Sequence, residues 1–210
     1  PKAIPSMCVM TIKRDKNMAP DRAKSRIVVL GNLEGRSWEK SKKYAPVLQY
    51  SSLRLLTTMA TENCRVLKQG DCKNAFCNGG LPEEETTIVR PPNGDPSTTK
   101  NEFWLLKETL YGLRRSPRHW FDKIDEILKS MGLKINPYDP CVYSGYICDP
   151  DDPAVPELSE PLTLGLYVDD FVYFSCDDEV EARFERILSR LVKVEFMGVV
   201  EWFLGTHFAW

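Results

Sequence analysis

In LTLGLYVDDFVYFS, positions 162–175, two acidic residues, Asp169 and Asp170, sit between two runs of β-favouring residues. Leu164, Leu166 and Val168 before the acidic pair, and Phe171, Val172, Tyr173 and Phe174 after it, predict two short buried strands in a hairpin capped by the aspartates. A second hairpin is predicted over residues 8–30, where CVMTIKRD and AKSRIVVLG flank a turn near Asn17 to Asp21. The two-residue repeat of a strand puts Lys24 and Arg26 on one face of it. Pro46 opens a helical pattern ending near Thr61, with Val47, Leu48, Leu55, Leu56 and Met59 at inward positions. CRVLKQ, at 64–69, predicts a strand that leads into Asp71, with a Gly79-Gly80 turn beyond. The clearest helical stripe is Trp120, Ile124, Ile127, Leu128 and Met131, opened by Ser116 and Pro117 and closed by Gly132. Residues 136–147 predict another strand, and 91–97 and 148–161 are proline-rich loops. Asp177 or Asp178 caps a further helix carrying Val180, Phe184, Ile187, Leu188 and Leu191, and the last residues alternate strand and turn.

Composition narrows the class. The 210 residues, 42% hydrophobic, can bury a sizeable core, and no linker is long enough to separate independent domains. There is no run of 18 apolar residues and no signal-peptide pattern, so no membrane association is expected. Seven irregularly spaced cysteines and two histidines give neither a disulfide framework nor a zinc pattern, which points to a reducing intracellular compartment, cytoplasmic or nuclear. The net charge of −2 conceals an asymmetry: residues 1–70 carry 14 Lys and Arg against 5 Asp and Glu, and the remainder is acidic. A basic part can meet phosphates while an acidic part holds a cation.

Two carboxylates on one tight turn oppose each other's ionisation unless a cation neutralises them. Asp-Asp is also an ordinary polar turn, so chemistry requires a third carboxylate; Asp71 supplies it if its strand lies beside the Asp169-Asp170 hairpin. The basic face of Lys24 and Arg26 could hold a triphosphate or simply meet solvent. Arg114, Arg115, Arg118 and His119 concentrate at a helix start, where the dipole favours an anion.

Seven stretches, in one order and spacing, then resemble a single family: AKSRIVVLGN, YAPVLQYSSLRLL, GDCKNAFCNGGLPEEE, WLLKETLYGLRRSPRHWFDKI, DPCVY, LYVDDFVYFS and EWFLGTHF. They are similar to the reverse transcriptase of copia-type LTR retrotransposons over almost the whole chain. The resemblance implies an α+β right-hand polymerase fold, with fingers and an antiparallel palm sheet backed by helices; the thumb into which family members continue is expected to be absent from these residues. Fingers would span about 1–70 and 85–118, and palm about 64–84 and 119–210, ending in the primer-grip region. It implies Asp71, Asp169 and Asp170 as catalytic carboxylates holding two Mg²⁺ ions, with Mn²⁺ an alternative ion. Phe76 would exclude a ribose 2′-hydroxyl, Lys24 and Arg26 would face the incoming triphosphate, and Tyr111-Gly112 would lie under the nascent base pair. Trp202, Phe203, Leu204 and Gly205 would grip the primer, and Arg114, Arg115 and Arg118 would meet nucleic-acid backbone. The partners implied are RNA or DNA template-primer and deoxynucleotides.

Leu30 stands where relatives often carry arginine, Arg115 where glutamine is usual, and the sequence stops at Trp210. Two functions of different class are therefore expected to compete. One is an RNA- and DNA-directed DNA polymerase. The other is a catalytically inactive retroelement-derived domain recruited as a protein-binding or scaffold component. In that case a protein partner would cover an apolar patch of Trp202, Phe203, Phe208 and Trp210. An unrelated palm-type nucleotidyl transferase is a third reading, disfavoured by YGLRRSPRHW and FLG.

Overall fold

The computed structural model describes residues 2–14, 18–94, 98–99, 101–152 and 158–210; Asn17 and parts of the 91–97 and 148–161 loops lie outside them. The chain is a mixed α and β protein. In order it forms β1 (Ile4–Arg14), β2 (Pro20–Val29), α1 (Tyr50–Glu62), β3 (Lys68–Cys72), β4 (Thr87–Arg90), β5 (Trp104–Leu106), α2 (Ser116–Ser130), β6 (Lys134–Ile135) and β7 (Val142–Gly145). There follow β8 (Leu162–Tyr167), β9 (Asp170–Ser175), α3 (Asp178–Leu191), β10 (Val194–Val199), β11 (Trp202–Phe203) and β12 (Thr206–His207). None of the helices among the described residues is long and apolar enough to cross a membrane. Contacts divide the chain into two compact units, Pro1–Ala45 with Phe76–Lys123, and Pro46–Ala75 with Ile124–Trp210.

The first unit is built on a sheet in the order β2-β1-β4-β5. β1 pairs antiparallel with β2 and parallel with β4. Ile4, Val29, Val89 and Leu113 form its core, with Leu106 and Leu110 packed against it. Beyond this root, β1 and β2 continue as a two-stranded ribbon in which Thr11 faces Lys24 and Val9 faces Arg26. Cross-strand partners share a face, so Lys24 and Arg26 do project from one side, opposite Met10 and Ile12.

The second unit carries a six-stranded antiparallel sheet, β10-β3-β9-β8-β7-β6. Both faces of its centre are covered, which is why β8 and β9 are apolar at successive rather than alternating positions. Phe171 and Tyr173 meet Phe184 of α3 and Phe196 of β10 in an aromatic cluster, with Tyr173 and Phe184 centroids 5.0 Å apart. On the opposite face α1 approaches so closely that a Cβ on Gly165 would press into Leu56 and Leu48. The α2 stripe is buried as its spacing predicts, from Trp120 through Met131. Asp177 is the N-cap of α3 and accepts from the Glu179 N–H at 2.8 Å.

Three elements differ from the sequence reading. α1 begins at Tyr50, because residues leading to it are extended and the Gln49 N–H is taken by the Asp139 carboxylate at 3.0 Å. Its inward stripe is Leu53, Leu56 and Ala60, while Val47, Leu55 and Met59 are exposed. β3 starts at Lys68 rather than residue 64, since Cys64 turns the chain at φ 54° just after α1, and Asp71 consequently lies inside the strand. The segment at 136–147 is not one strand: Pro137 and Pro140 offer no ladder donor, and β6 and β7 pair on either side of them.

Candidate active site

Asp71 and Asp170 are direct partners on β3 and β9. The Tyr167–Asp170 pair closes β8 and β9 around a two-residue loop, Val168 and Asp169. Only the first loop residue, Val168 at φ 59°, is left-handed, the arrangement that a II′ hairpin turn demands and that glycine usually fills. A β-branched residue in that region is strained, and backbone strain tends to sit at functional turns. The Cys72 N–H donates to the Asp169 carbonyl at 2.8 Å, tying the turn to the end of β3. All three aspartates thus stand at the adjoining ends of β3, β8 and β9, and Asp71 lies on a strand beside the Asp169-Asp170 hairpin as the sequence reading requires.

The electrostatics agree with that placement. Cys72 is buried, and burial first, then the negative charges of Asp71, Asp169 and Asp170, push its thiol up to about 12. The row also extends further than the three aspartates. Glu195 on β10 is the partner of Asp71 on its other side, so Glu195, Asp71, Asp170 and Tyr167 occupy neighbouring ladder positions on four strands. Lys73 follows directly on the end of β3, and its Nζ donates to Asp71 Oδ2 at 2.5 Å and also to Glu195. Burial would lower the Lys73 pKa, but the hydrogen bonds to the two carboxylates outweigh it and hold the ammonium above its ordinary value.

Among the described residues, no group of three or more His, Cys, Asp or Glu is gathered closely enough to hold a metal ion by itself. The donor chemistry nevertheless fits a hard divalent cation. Mg²⁺ keeps several waters and takes one or two carboxylates beside substrate phosphates, so Asp71, Asp169 and Asp170 could hold it without an all-protein cage. The Lys73 ammonium on Asp71 is itself a stand-in for positive charge at that place.

Within the first unit, four of the five residues that the sequence nominates for nucleotide binding come together. The Arg26 guanidinium lies over the Tyr111 ring, 5.5 Å from its centroid, and Phe76 meets the same ring edge-on at 5.3 Å. Tyr111 is docked through its carbonyl, which accepts the Val29 N–H at 2.7 Å. Gly112, at φ 90°, lies where a Cβ would collide with the Val29 carbonyl. Lys24 shares the face of Arg26 but lies two pairs further along the ribbon. Sequence reasoning missed Thr109, which is buried and whose hydroxyl donates to the carbonyls of Phe76 and Gly79, fixing the Phe76 backbone. A lone threonine carries no pattern that would have disclosed it.

The basic helix start is engaged locally. Arg115 and His119 both meet Glu85, and Arg115 also stacks on Trp38 at 4.2 Å. Arg118 forms a two-pronged pair with Asp122, at 2.9 and 2.5 Å, and Arg114 donates to the Asn32 carbonyl. In the second unit, Leu204 and Gly205 form the tip of the β11–β12 hairpin, both left-handed, with Trp202 opposite His207 at 4.8 Å. Trp202 and Trp210 are exposed but Phe203 is buried, so the expected terminal patch is narrower than four aromatic residues.

Residues 1–210 match the family described as reverse transcriptase (RNA-dependent DNA polymerase), and the chain belongs to that family. Its relatives place it with the copia-type transposons. It is 28% identical to the retrovirus-related Pol polyprotein from transposon TNT 1-94 of Nicotiana tabacum, over 94% of this chain and 14% of that protein. It is 26% identical to the corresponding polyprotein from transposon RE1 of Arabidopsis thaliana, over 60% of this chain and 8% of that protein. It is also 25% identical to a transposon Ty1-DR5 Gag-Pol polyprotein of Saccharomyces cerevisiae, over 84% of this chain and 9% of that protein. The chain therefore spans a small fraction of these relatives' length. No solved structure matches it.

Proposed function

We propose that the chain is the fingers and palm region of an RNA- and DNA-directed DNA polymerase, with the first unit serving as fingers and the second as palm. The observation that carries this reading is the pairing of Asp71 with Asp170 across β3 and β9, with Asp169 on the adjoining turn. Three carboxylates at the ends of neighbouring strands of a packed sheet offer oxygen donors to divalent cations of the kind that reverse transcriptases generally use. Two bound Mg²⁺ ions would supply an activated primer 3′-hydroxyl and charge neutralisation at the leaving pyrophosphate.

The chain's own residues have distinct tasks in this scheme. Arg26 and Lys24 bind the triphosphate of the incoming deoxynucleotide as cations. Phe76, held by Thr109 and packed on Tyr111, excludes a ribose 2′-hydroxyl by occupying its space. Tyr111 and Gly112 support the nascent base pair, and the β11–β12 hairpin positions the primer end. Template-primer is held through its backbone, with strong salt dependence and without sequence preference. Arg114 and Arg118 are the residues of the basic helix start with the more exposed side chains for that contact.

The test is deoxynucleotide incorporation on a primed RNA template with Mg²⁺, comparing the chain with a variant carrying Asp169→Asn and Asp170→Asn. Incorporation that falls by about 10³-fold in the folded variant supports the reading, a loss of the size seen when transition-state charge stabilisation is removed. Equal incorporation by both chains refutes it, and absence of incorporation in both moves the role to binding.

A further inference from the structure

The Lys73 side chain lies on the carboxylate of Asp71. Asp71 has an acidic neighbour on each side across the ladder, Glu195 on β10 and Asp170 on β9. Lys73 is held at this point from both ends. Its backbone N–H donates to the Lys193 carbonyl at 2.8 Å, and its Nζ bridges Asp71 and Glu195. The ammonium takes Oδ2 of Asp71, one of the two oxygens on which a divalent ion would draw, while Glu195 offers a second carboxylate two strands away from Asp170.

We propose that Lys73 is a positioning residue that acts as the resident counter-ion of Asp71, and that Glu195 is the carboxylate to which its ammonium withdraws when a divalent cation arrives. This rests on the reading of Asp71 as a metal ligand. The physical reason is competition: two cations cannot share one partly buried carboxylate oxygen without repulsion, so the affinity for the divalent ion is set by how readily the ammonium leaves. Before the ion binds, Lys73 offsets the repulsion among the carboxylates and keeps Asp71 oriented. Afterwards the Lys73–Glu195 pair keeps the displaced ammonium from being stranded. Glu195 therefore acts through Lys73, and its contribution disappears when Lys73 is removed.

The experiment is Mn²⁺ titration of the full chain, without nucleotide or template, followed by electron paramagnetic resonance of the free ion. The variants are Lys73→Met, Glu195→Gln, the double substitution, and Asp71→Asn. Lys73→Met should bind Mn²⁺ about tenfold more tightly, the loss of one charged hydrogen bond from the competing state. Glu195→Gln should bind it about threefold more weakly, because the ammonium is then committed to Asp71. In the Lys73→Met background, Glu195→Gln should change nothing. As a readout independent of metal, Lys73→Met should melt at lower temperature than the unaltered chain in EDTA. Unchanged or weaker Mn²⁺ binding by Lys73→Met, with Asp71→Asn abolishing it, overturns the counter-ion role while leaving Asp71 as a ligand. Binding that survives Asp71→Asn instead overturns the metal-site reading on which the proposal rests.

Discussion

The β8–β9 hairpin and the β1–β2 hairpin are both antiparallel, but they solve different problems. Every residue from Leu162 to Leu166 and from Phe171 to Ser175 is buried, under α1 on one face and α3 on the other. In β1, from Met7 to Arg14, Val9 alone escapes full exposure, and the ribbon is held mainly by its own ladder. A two-stranded ribbon without a covered face is marginal in water, whereas a strand in the middle of a packed sheet opens only with the whole core. The three aspartates, to which the proposed function gives the metal ions, are carried by the packed sheet. Lys24 and Arg26, to which the proposed function gives the flexible triphosphate, are carried by the ribbon. This contrast is open to test.

The largest effect should follow Phe184→Ala. Phe184 is fully buried among Phe171, Tyr173 and Phe196, and its truncation should cost about 3–5 kcal/mol in urea unfolding of the second unit. A loss below about 1 kcal/mol would show that the aromatic cluster does not hold the sheet.

Next is Gly70→Ala. A Cβ there would overlap the Phe171 ring, which lies across the strand from it and beside the Asp71–Asp170 pair. The ring must shift, at about 1–3 kcal/mol of stability, and incorporation should fall with it. Full stability in urea would mean that the ring moves freely and the sheet edge is softer than its burial implies.

Arg26→Ala should separate the two hairpins most clearly. The Michaelis constant for deoxynucleotide should rise about tenfold, the value of one charge-assisted contact. Stability should change by no more than about 0.5 kcal/mol, because Arg26 lies on the ribbon. A large destabilisation would place Arg26 among the structural supports of Tyr111 instead.

The smallest effect concerns pH. Arg65 donates to Asp178, and this hydrogen bond holds the Asp178 carboxyl below its ordinary 3.8. A depressed carboxyl stabilises the fold above its unfolded value, and the contribution is lost as pH falls through the folded one. Melting of the unaltered chain and of Asp178→Asn should therefore differ slightly near neutrality and converge as pH drops below 3.8. The pair is exposed and screened, so 1 M salt should shrink the difference.

Much of this architecture is written locally. The buried runs around Asp169-Asp170, the α2 stripe and the Asp177 cap each depend on residues within one turn or one strand, where periodicity and capping chemistry are sufficient. The α1 start was not legible, because it depends on Asp139, 90 positions away, taking the Gln49 N–H. Its exposed Leu55 and Met59 were misassigned for a related reason: which stripe of a helix turns inward is decided by what it packs on, here the bare backbone at Gly165.

The candidate site divides in the same way. The acidic turn, the basic face of β2 and the family are legible along the chain, since each resides in contiguous residues or in motifs kept in order. That Asp71 pairs with Asp170 rather than merely following a strand, that Glu195 flanks it, and that Lys73 bridges Asp71 and Glu195 all depend on the folded sheet. Strand order is the reason. Residues 71, 170 and 195 become neighbours through ladders that no local periodicity encodes, and their charges interact only once that sheet has formed.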